Sequence, residues 1–222
     1  MRLLRTGISA AMLCFILAAA TVMAQDKVDK PMLLSGEHWT YRRMDLWKNE
    51  EIERFREDLL GGVGDSLTVL WTILSSQDGR RRNSVTYEFL DASTLAFYDP
   101  KAEGRHVPLQ FPLYPGKTWS FQYTYHPQLA SDLSIQQSAV VEGWENVTVP
   151  AGTFRTLKVV HHGHYFATSS GASWTGQIYE TYWYAPDAKR VVKMEYRDTQ
   201  YGGSTWDQWR DELVDLKVFS AK

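Results

Sequence analysis

The amino-acid sequence predicts a mainly β protein with a single antiparallel curved sheet, either a half-barrel or a barrel. Short segments in which apolar and polar residues alternate recur along the chain, and this period of two is typical of strands with one buried face. Turn-forming residues separate the segments at regular intervals. The 222-residue chain also contains 9 tryptophans and 12 tyrosines. Their side chains have an apolar body and a polar tip and favour the pleated surface of a β-sheet.

The most regular predicted strand runs from Trp119 to His126, with four aromatic side chains on one face and polar side chains on the other. Residues Leu67 to Leu74 alternate similarly but carry leucine on both faces, which predicts a strand that is more fully covered. The same alternation with a period of two recurs in the segments that begin at Val85, Val192 and Val214. Candidate turns between strands are Gly61-Gly62, Asp78-Gly79, Asp99-Pro100, Pro115-Gly116, Pro150-Ala151-Gly152, Pro186-Asp187 and Gly202-Gly203.

One segment departs from this pattern and predicts at most one short helix, near residues 49–60. Ile52, Phe55 and Leu59 follow helical spacing, Asn49 is a suitable N-cap, and glutamates occupy the first turn. The alternative is an exposed strand, because pairing with neighbouring strands can override the propensity of so short a segment.

The first 24 residues predict a secretory signal peptide. Arg2 and Arg5 precede an apolar run that ends in small and medium-sized residues at Ala24. An uncleaved N-terminal anchor is the alternative. The single cysteine, Cys14, lies inside this run, so the mature chain would hold no disulfide. We therefore predict a periplasmic or secreted protein, with residues 25–35 as a flexible N-terminal segment.

Composition limits the partners of the mature chain. The formal net charge of −2 becomes −4 once the two arginines of the signal peptide are removed, which argues against nucleic acid as a partner. A second long apolar segment is missing, so no membrane span is predicted after signal cleavage. Residues 36–219 contain no stretch with linker composition and are predicted to form one antiparallel β-domain.

Two pairs of short motifs indicate an internal duplication. Residues Gly36 to Tyr41 and Gly116 to Phe121 share the form G-x-x-W-[TS]-aromatic. The motif Phe97-Tyr98-Asp99-Pro100 resembles Trp183-Tyr184-Ala185-Pro186 at a similar offset. These matches predict two related β-meanders within the one domain, and chance similarity between turn-plus-strand patterns is the alternative.

Motifs in the second half of the chain also carry a resemblance to known proteins. They are PLYPGKTW at 112–119, PAGTF at 150–154, YWYAP at 182–186, VVK at 191–193 and ELV at 212–214. In this order, residues 36 to 219 resemble a widespread group of exported bacterial β-proteins of unknown function that includes the TapB-like domain. The resemblance implies an envelope protein with a curved antiparallel sheet, similar in shape to periplasmic lipoprotein carriers. It assigns no catalytic residues.

Half of the six histidines lie in the segment His161-His162-Gly163-His164. On a strand, His162 and His164 share one face about 7 Å apart, and His161 lies on the other face. The pair could bind zinc or iron if a neighbouring strand supplied a third ligand. Candidate third ligands are His38, His106, His126 and Glu180. Exposed histidines on a strand are the simpler interpretation, and Gly163 suggests a β-bulge that would disturb the face assignment.

Binding without catalysis is the function that the sequence favours. The aromatic residues predict a concave wall for a lipid or another apolar or amphipathic ligand, or for an envelope protein partner. The predicted ligand-binding residues are Trp39, Trp119, Tyr123 and Trp183. Sequence motifs of serine hydrolases, zinc proteases and P-loop enzymes do not occur, so neither catalytic residues nor a cofactor is predicted.

Two alternatives remain. One is a metal-dependent hydrolase or metal-binding protein with zinc at His162 and His164. The other is an assembly component that adds to envelope machinery through an exposed sheet edge. If most of the tryptophans fill a closed core, the reason to predict a ligand pocket is lost.

Overall fold

A computed structural model describes residues 27–77, 84–128, 131–200 and 202–220. The predicted signal peptide and the predicted Asp78-Gly79 turn lie outside these residues. Within them, no helix is long and apolar enough to cross a membrane. The strands are β1 His38–Asp45, β2 Glu50–Val63, β3 Ser66–Ser76, β4 Val85–Asp91, β5 Ala96–Phe97, β6 Ala102–Gly104, β7 Thr118–Gln128, β8 Ser131–Val149, β9 Gly152–Ser169, β10 Ala172–Ala185, β11 Arg190–Gln200 and β12 Thr205–Lys217.

The strands of the described residues form one sheet of twelve, in the order β5-β4-β3-β2-β1-β12-β11-β10-β9-β8-β7-β6. Every pairing is antiparallel. The first and last strands are neighbours in the middle of the sheet, so one meander runs from β1 to one edge and a second from β12 to the other. This confirms the predicted fold class, a mainly β protein with a curved antiparallel sheet.

The curvature follows from the connection between the two edges. Strands β5 and β6 lie at opposite edges, yet only residues 98–101 join them. Five Cα–Cα steps span at most about 17 Å, so the edges must approach each other. Arg105 Nη1 donates to Asp91 Oδ2 at 3.0 Å across this gap. The sheet is nevertheless not closed into a barrel by strand pairing, so of the two predicted forms the open half-barrel is correct.

The predicted helix near residues 49–60 is wrong, and its alternative, an exposed strand, is correct in the strand but not in its exposure. Strand β2 pairs with β1 on one side and with β3 on the other. Glu53, Phe55, Glu57 and Leu59 alternate as the buried positions. Two of these inward positions carry charge, which hides the period of two, and the spacing of Phe55 and Leu59 fits a helix and a strand equally well.

A long loop fills part of the concave face. Residues 105–117 connect β6 to β7, and within this loop Leu109 and Leu113 are fully buried in the main core. Leu113 also exchanges two backbone hydrogen bonds with Val28, of 2.8 and 2.7 Å. A second, smaller apolar cluster lies on β8, β9 and β10 and contains Ile135, Tyr165, Ala167 and Ile178. Between these two apolar regions the concave face is not filled by side chains.

Candidate functional site

The candidate site is a cavity of about 1310 Å³ on the concave face. Its lining comes from strands of both meanders, at the middle and near both edges of the sheet, and from the loop between β6 and β7. Aromatic and aliphatic side chains from both meanders supply its apolar surface. Phe55 and Trp71 stack with ring centroids 4.3 Å apart, and Phe97 meets Trp71 edge-on at 5.4 Å. Leu133 and Ile178 contribute aliphatic surface from the second meander.

A buried ion pair forms one polar part of the cavity wall. Arg190 on β11 donates a hydrogen bond from Nη2 to Glu57 on β2, and the two residues are 5% and 4% exposed. Burial raises the pKa of Glu57, and the attraction of the Arg190 guanidinium opposes this rise. The guanidinium also lies 5.2 Å from the ring centroid of Trp39. Its Nη1 is buried without a hydrogen-bond partner in the described protein.

A second polar cluster brings together His106, His161 and Glu180. His161 on β9 lies opposite Glu180 on β10 in the strand register, and the loop between β6 and β7 carries His106 over them. Glu180 Oε2 is 3.2 Å from His106 Nε2 and 3.7 Å from His161 Nδ1. Gln137 Nε2 donates to the same carboxylate oxygen at 2.9 Å. Within the described residues, this is the group of three metal-ligating side chains that the fold assembles.

The charge states in this cluster follow from burial and from neighbouring charge. Burial favours a higher pKa for Glu180, but His106, His161 and Gln137 together lower it to about 2. Burial lowers the pKa of His161 to about 4, so its imidazole is neutral at pH 7. His161 Nε2 lies 3.0 Å from the carbonyl oxygen of Pro108, which can only accept, so the ring proton is on Nε2. Nδ1 then holds a lone pair and is buried without a hydrogen-bond partner.

The four predicted ligand-binding residues occupy different environments. Tyr123 lines the cavity. Trp39 and Trp119 are buried in the main core, where their indole N–H groups donate to Ala188 O at 2.8 Å and Val107 O at 3.0 Å. Trp183 is also buried and donates to the Glu145 carboxylate. These three indoles therefore contribute to packing and are not part of the cavity lining.

Two other tryptophans, Trp71 and Trp209, do line the cavity. Neither residue is among the ligand-binding residues that the sequence predicts. Trp174 and Trp206 are 43% and 66% exposed and lie away from the cavity. Alternation on β3 could have identified Trp71 as an inward-facing residue, because it lies on the same face of the strand as Val69 and Ile73.

His162 and His164 share the exposed face of β9, opposite His161, as the alternation predicted. Their register partners are Ser138 and Tyr179 for His162, and Gln136 and Gln177 for His164. The pairing of β9 is regular around Gly163, so the suggested bulge is not present there. Of the candidate third ligands, His106 and Glu180 lie with His161 in the cavity cluster. A metal bound at His162 and His164 stays a prediction.

No protein-family model matches the sequence, and no curated protein matches it. Solved structures do match. A Bacteroides fragilis protein described as exported, with a YmcC-like fold, aligns over 86% of this chain and 100% of its own length at 15% identity, with a TM-score of 0.50. A protein from Parabacteroides distasonis described as a lipoprotein aligns over 87% and 100%, at 14% identity, with a TM-score of 0.52. This chain shares their fold.

The lipoprotein YmcC of Escherichia coli aligns over 97% of this chain and 100% of its own, at 10% identity. Its TM-score of 0.38 is too low to support a statement about fold. The two better matches support the curved antiparallel β-fold that the resemblance seen in the sequence motifs implies. They do not support its TapB-like part.

Proposed function

We propose that this chain is an exported protein of the bacterial envelope that binds one amphipathic, lipid-like molecule in the cavity of its half-barrel. The cavity itself is the observation that carries the proposal. Its volume of about 1310 Å³ exceeds that of an ordinary small-molecule pocket, which is about 300–1,000 Å³. A molecule with a long apolar chain could use this space.

The lining supports an amphipathic ligand and not a purely apolar one. Phe55, Trp71 and Ile178 provide surface for an acyl chain, and Tyr123 and Tyr196 provide hydroxyl groups beside it. Burial raises the pKa of both tyrosines, so they remain neutral. The Tyr196 hydroxyl donates to Asp198 Oδ2 at 3.3 Å, so of the two it is Tyr123 that can donate a hydrogen bond to a ligand. Apolar walls with a small number of placed polar groups are typical of ligand sites.

Four charged residues of the cavity wall have partners within the protein, which favours a polar head group without net charge. Arg190 is paired with Glu57, and Glu180 with His106. Asp211 likewise receives two hydrogen bonds from an arginine, both of 2.8 Å. Because Arg190 and Asp211 have oppositely charged partners and Glu180 is hydrogen-bonded within the protein, a zwitterionic or hydroxyl-bearing head group need not supply a counter-charge to these residues.

The envelope location has two supports. The first 24 residues predict a signal peptide. Two proteins that share this fold are described as exported or as a lipoprotein. The retention of a lipid between membranes is a function that such a location would allow.

Two binding measurements test the proposal. Native mass spectrometry of tag-free protein is expected to show an adduct of lipid mass. Lysophosphatidylcholine with a fluorescent acyl chain is expected to bind the delipidated protein at one site per chain. A bare protein that also fails to bind this probe would contradict the proposal and direct the search to protein partners.

A pair of substitutions on β8 locates the bound probe. Leu133 lines the cavity, and its neighbour Ser134 is exposed on the opposite face. Leu133→Trp reduces the free volume and is expected to weaken probe binding by about tenfold or more, whereas Ser134→Trp leaves it unchanged. Met194→Trp, on β11, provides a second cavity-filling variant. Equal affinities in all of these proteins would place the probe outside the cavity.

Strand addition at a sheet edge, the assembly alternative, keeps some support in this geometry. The edge strands β5 and β6 have two and three residues. Strand β5 pairs only with Leu90 and Asp91 of β4, and β6 pairs only with Tyr123 to Tyr125 of β7. The rest of the outer edges of β4 and β7 has no strand partner among the described residues, and such edges can pair with another chain.

A further inference from the structure

We propose that His106, His161 and Glu180 bind one zinc ion in the wall of the cavity. This inference is independent of the lipid-binding proposal, because it concerns binding of the metal alone. The site differs from the pair His162 and His164 that the sequence indicates, since His161 lies on the opposite face of the same strand.

The distances between the ligand atoms of the three residues are close to those expected around one tetrahedral zinc ion. Two ligand atoms bound to one tetrahedral zinc, each at about 2.0–2.1 Å, lie about 3.3 Å apart. Glu180 Oε2 is 3.2 Å from His106 Nε2 and 3.7 Å from His161 Nδ1. Ligand atoms of the three residues all lie within 4.8 Å of one another. The third pair of ligand atoms, on His106 and His161, lies within that limit, and binding of one tetrahedral zinc requires about 3.3 Å between them.

His161 is held as a metal ligand is usually held. Its Nε2–H donates to the carbonyl oxygen of Pro108 at 3.0 Å, which determines the tautomer and the ring orientation. The other nitrogen, Nδ1, therefore presents its lone pair to the cluster. The side chain is 0% exposed, so water does not satisfy this nitrogen by open contact.

In this cluster, two hydrogen-bond acceptor atoms lie next to each other without a donor between them. His161 donates through Nε2, and Glu180 Oε2 accepts from Gln137, so His161 Nδ1 and Glu180 Oε2 both present lone pairs; their separation of 3.7 Å is too long for a hydrogen bond. A buried polar atom without a partner requires an explanation. A cation between the two atoms would convert the unfavourable contact into two coordinate bonds.

The ligand set selects the class of metal. Two imidazoles and one carboxylate, without a thiolate, match the nitrogen and oxygen ligands of zinc sites that retain an open position. His106 is half-buried at the cavity surface, and the Tyr182 hydroxyl lies 3.4 Å from its Nε2. The fourth position would therefore face the cavity, where water or a donor atom of a ligand can reach it.

Zinc titration of metal-free, tag-free protein tests the proposal, with bound metal measured by elemental analysis. We expect one zinc per chain in the unmodified protein. His106→Ala and Glu180→Gln are each expected to weaken zinc affinity by at least about 100-fold, because each removes one of three protein ligands. The double variant His162→Gln/His164→Gln is the matched control, since both residues lie on the exposed face of β9.

Three results would overturn the proposal. The unmodified protein could fail to bind zinc, the two cluster variants could bind it as tightly as the unmodified protein, or the double variant could lose it. The last result would move the metal to His162 and His164. Cobalt(II) bound to the unmodified protein provides a test that needs no variant: intense tetrahedral d–d absorption is expected, and weak six-coordinate absorption would contradict the site.

Discussion

Arg190 and Glu57 form a buried ion pair between strands β11 and β2, which are not neighbours in the sheet. Strands β1 and β12 lie between them, so in a flat sheet three strand spacings would separate the two backbones by about 14 Å. The direct contact across the concave face therefore depends on the curvature of the sheet. The pair joins the first meander to the second.

We expect Glu57→Gln to lower the free energy of unfolding by about 3–5 kcal/mol, because it leaves the Arg190 charge buried without compensation. Urea unfolding followed by tryptophan fluorescence measures the change. The matched control is the half-exposed pair of Glu51 and Arg54, for which Glu51→Gln is expected to cost less than about 1 kcal/mol. Replacement of both Glu57 and Arg190 by methionine should recover most of the loss. Equal losses of unfolding free energy in Glu57→Gln and Glu51→Gln would contradict the view that the buried pair contributes more to stability than the half-exposed one.

The close approach at Gly163 predicts a second effect. A Cβ atom at this position would lie 2.2 Å from the carbonyl oxygen of Gln136 and 2.4 Å from Cγ of Gln137, which donates to Glu180. Gly163→Ala is therefore expected to destabilise the protein by about 1–3 kcal/mol. His162→Ala, one residue earlier but exposed, should change stability by less than about 0.5 kcal/mol. Thermal unfolding of both variants checks this contrast, and a neutral Gly163→Ala would refute it.

The two repeated G-x-x-W motifs predict matching energetic roles for Trp39 and Trp119. Each indole N–H donates to a backbone carbonyl in or beside the main core. Replacement of either residue by phenylalanine should cost about 1–3 kcal/mol, because a carbonyl group loses its partner and the core loses volume. The exposed Trp174 serves as control, and Trp174→Phe should be close to neutral. Chemical denaturation of the three variants distinguishes these outcomes.

Tryptophan emission should report on ligand binding in the cavity. Trp71 and Trp209 line the cavity, whereas Trp174 and Trp206 do not. We expect the emission of the protein to change when lysophosphatidylcholine binds, and Trp71→Phe to remove a large share of this change. Trp206→Phe should preserve it. A signal that disappears with Trp206 and persists without Trp71 would show that the lipid binds elsewhere.

Local residue patterns were sufficient to predict the strands whose inward positions are apolar. The stretch from Trp119 to His126 is an example, since its alternation corresponds to β7. The same rule placed His161 on one face of β9 and His162 and His164 on the other. It did not identify β2, because Glu53 and Glu57 occupy inward positions, and the arginine partner of Glu57 comes 133 residues later.

The candidate site could be anticipated only in part. His106 and Glu180 were recognised as candidate metal ligands, but they were expected to join His162 and His164. Glu180 pairs in register with His161, and its separation of 74 residues from His106 is bridged by the loop that crosses the concave face. Spacing along the chain contains no signal for a contact of this kind.

The sequence by itself determined the period and the two faces of the strands whose inward positions are apolar, and it located five of the turns between strands, because these depend on neighbouring residues. The predicted Gly61-Gly62 turn is wrong, since both residues lie within β2. The tertiary structure decided which histidine turns inward and how the charge of Glu57 is compensated. It also decided that three of the four predicted ligand-binding residues pack away from the cavity. These outcomes depend on the pairing of β1 with β12 and on the approach of the two sheet edges, which are long-range contacts.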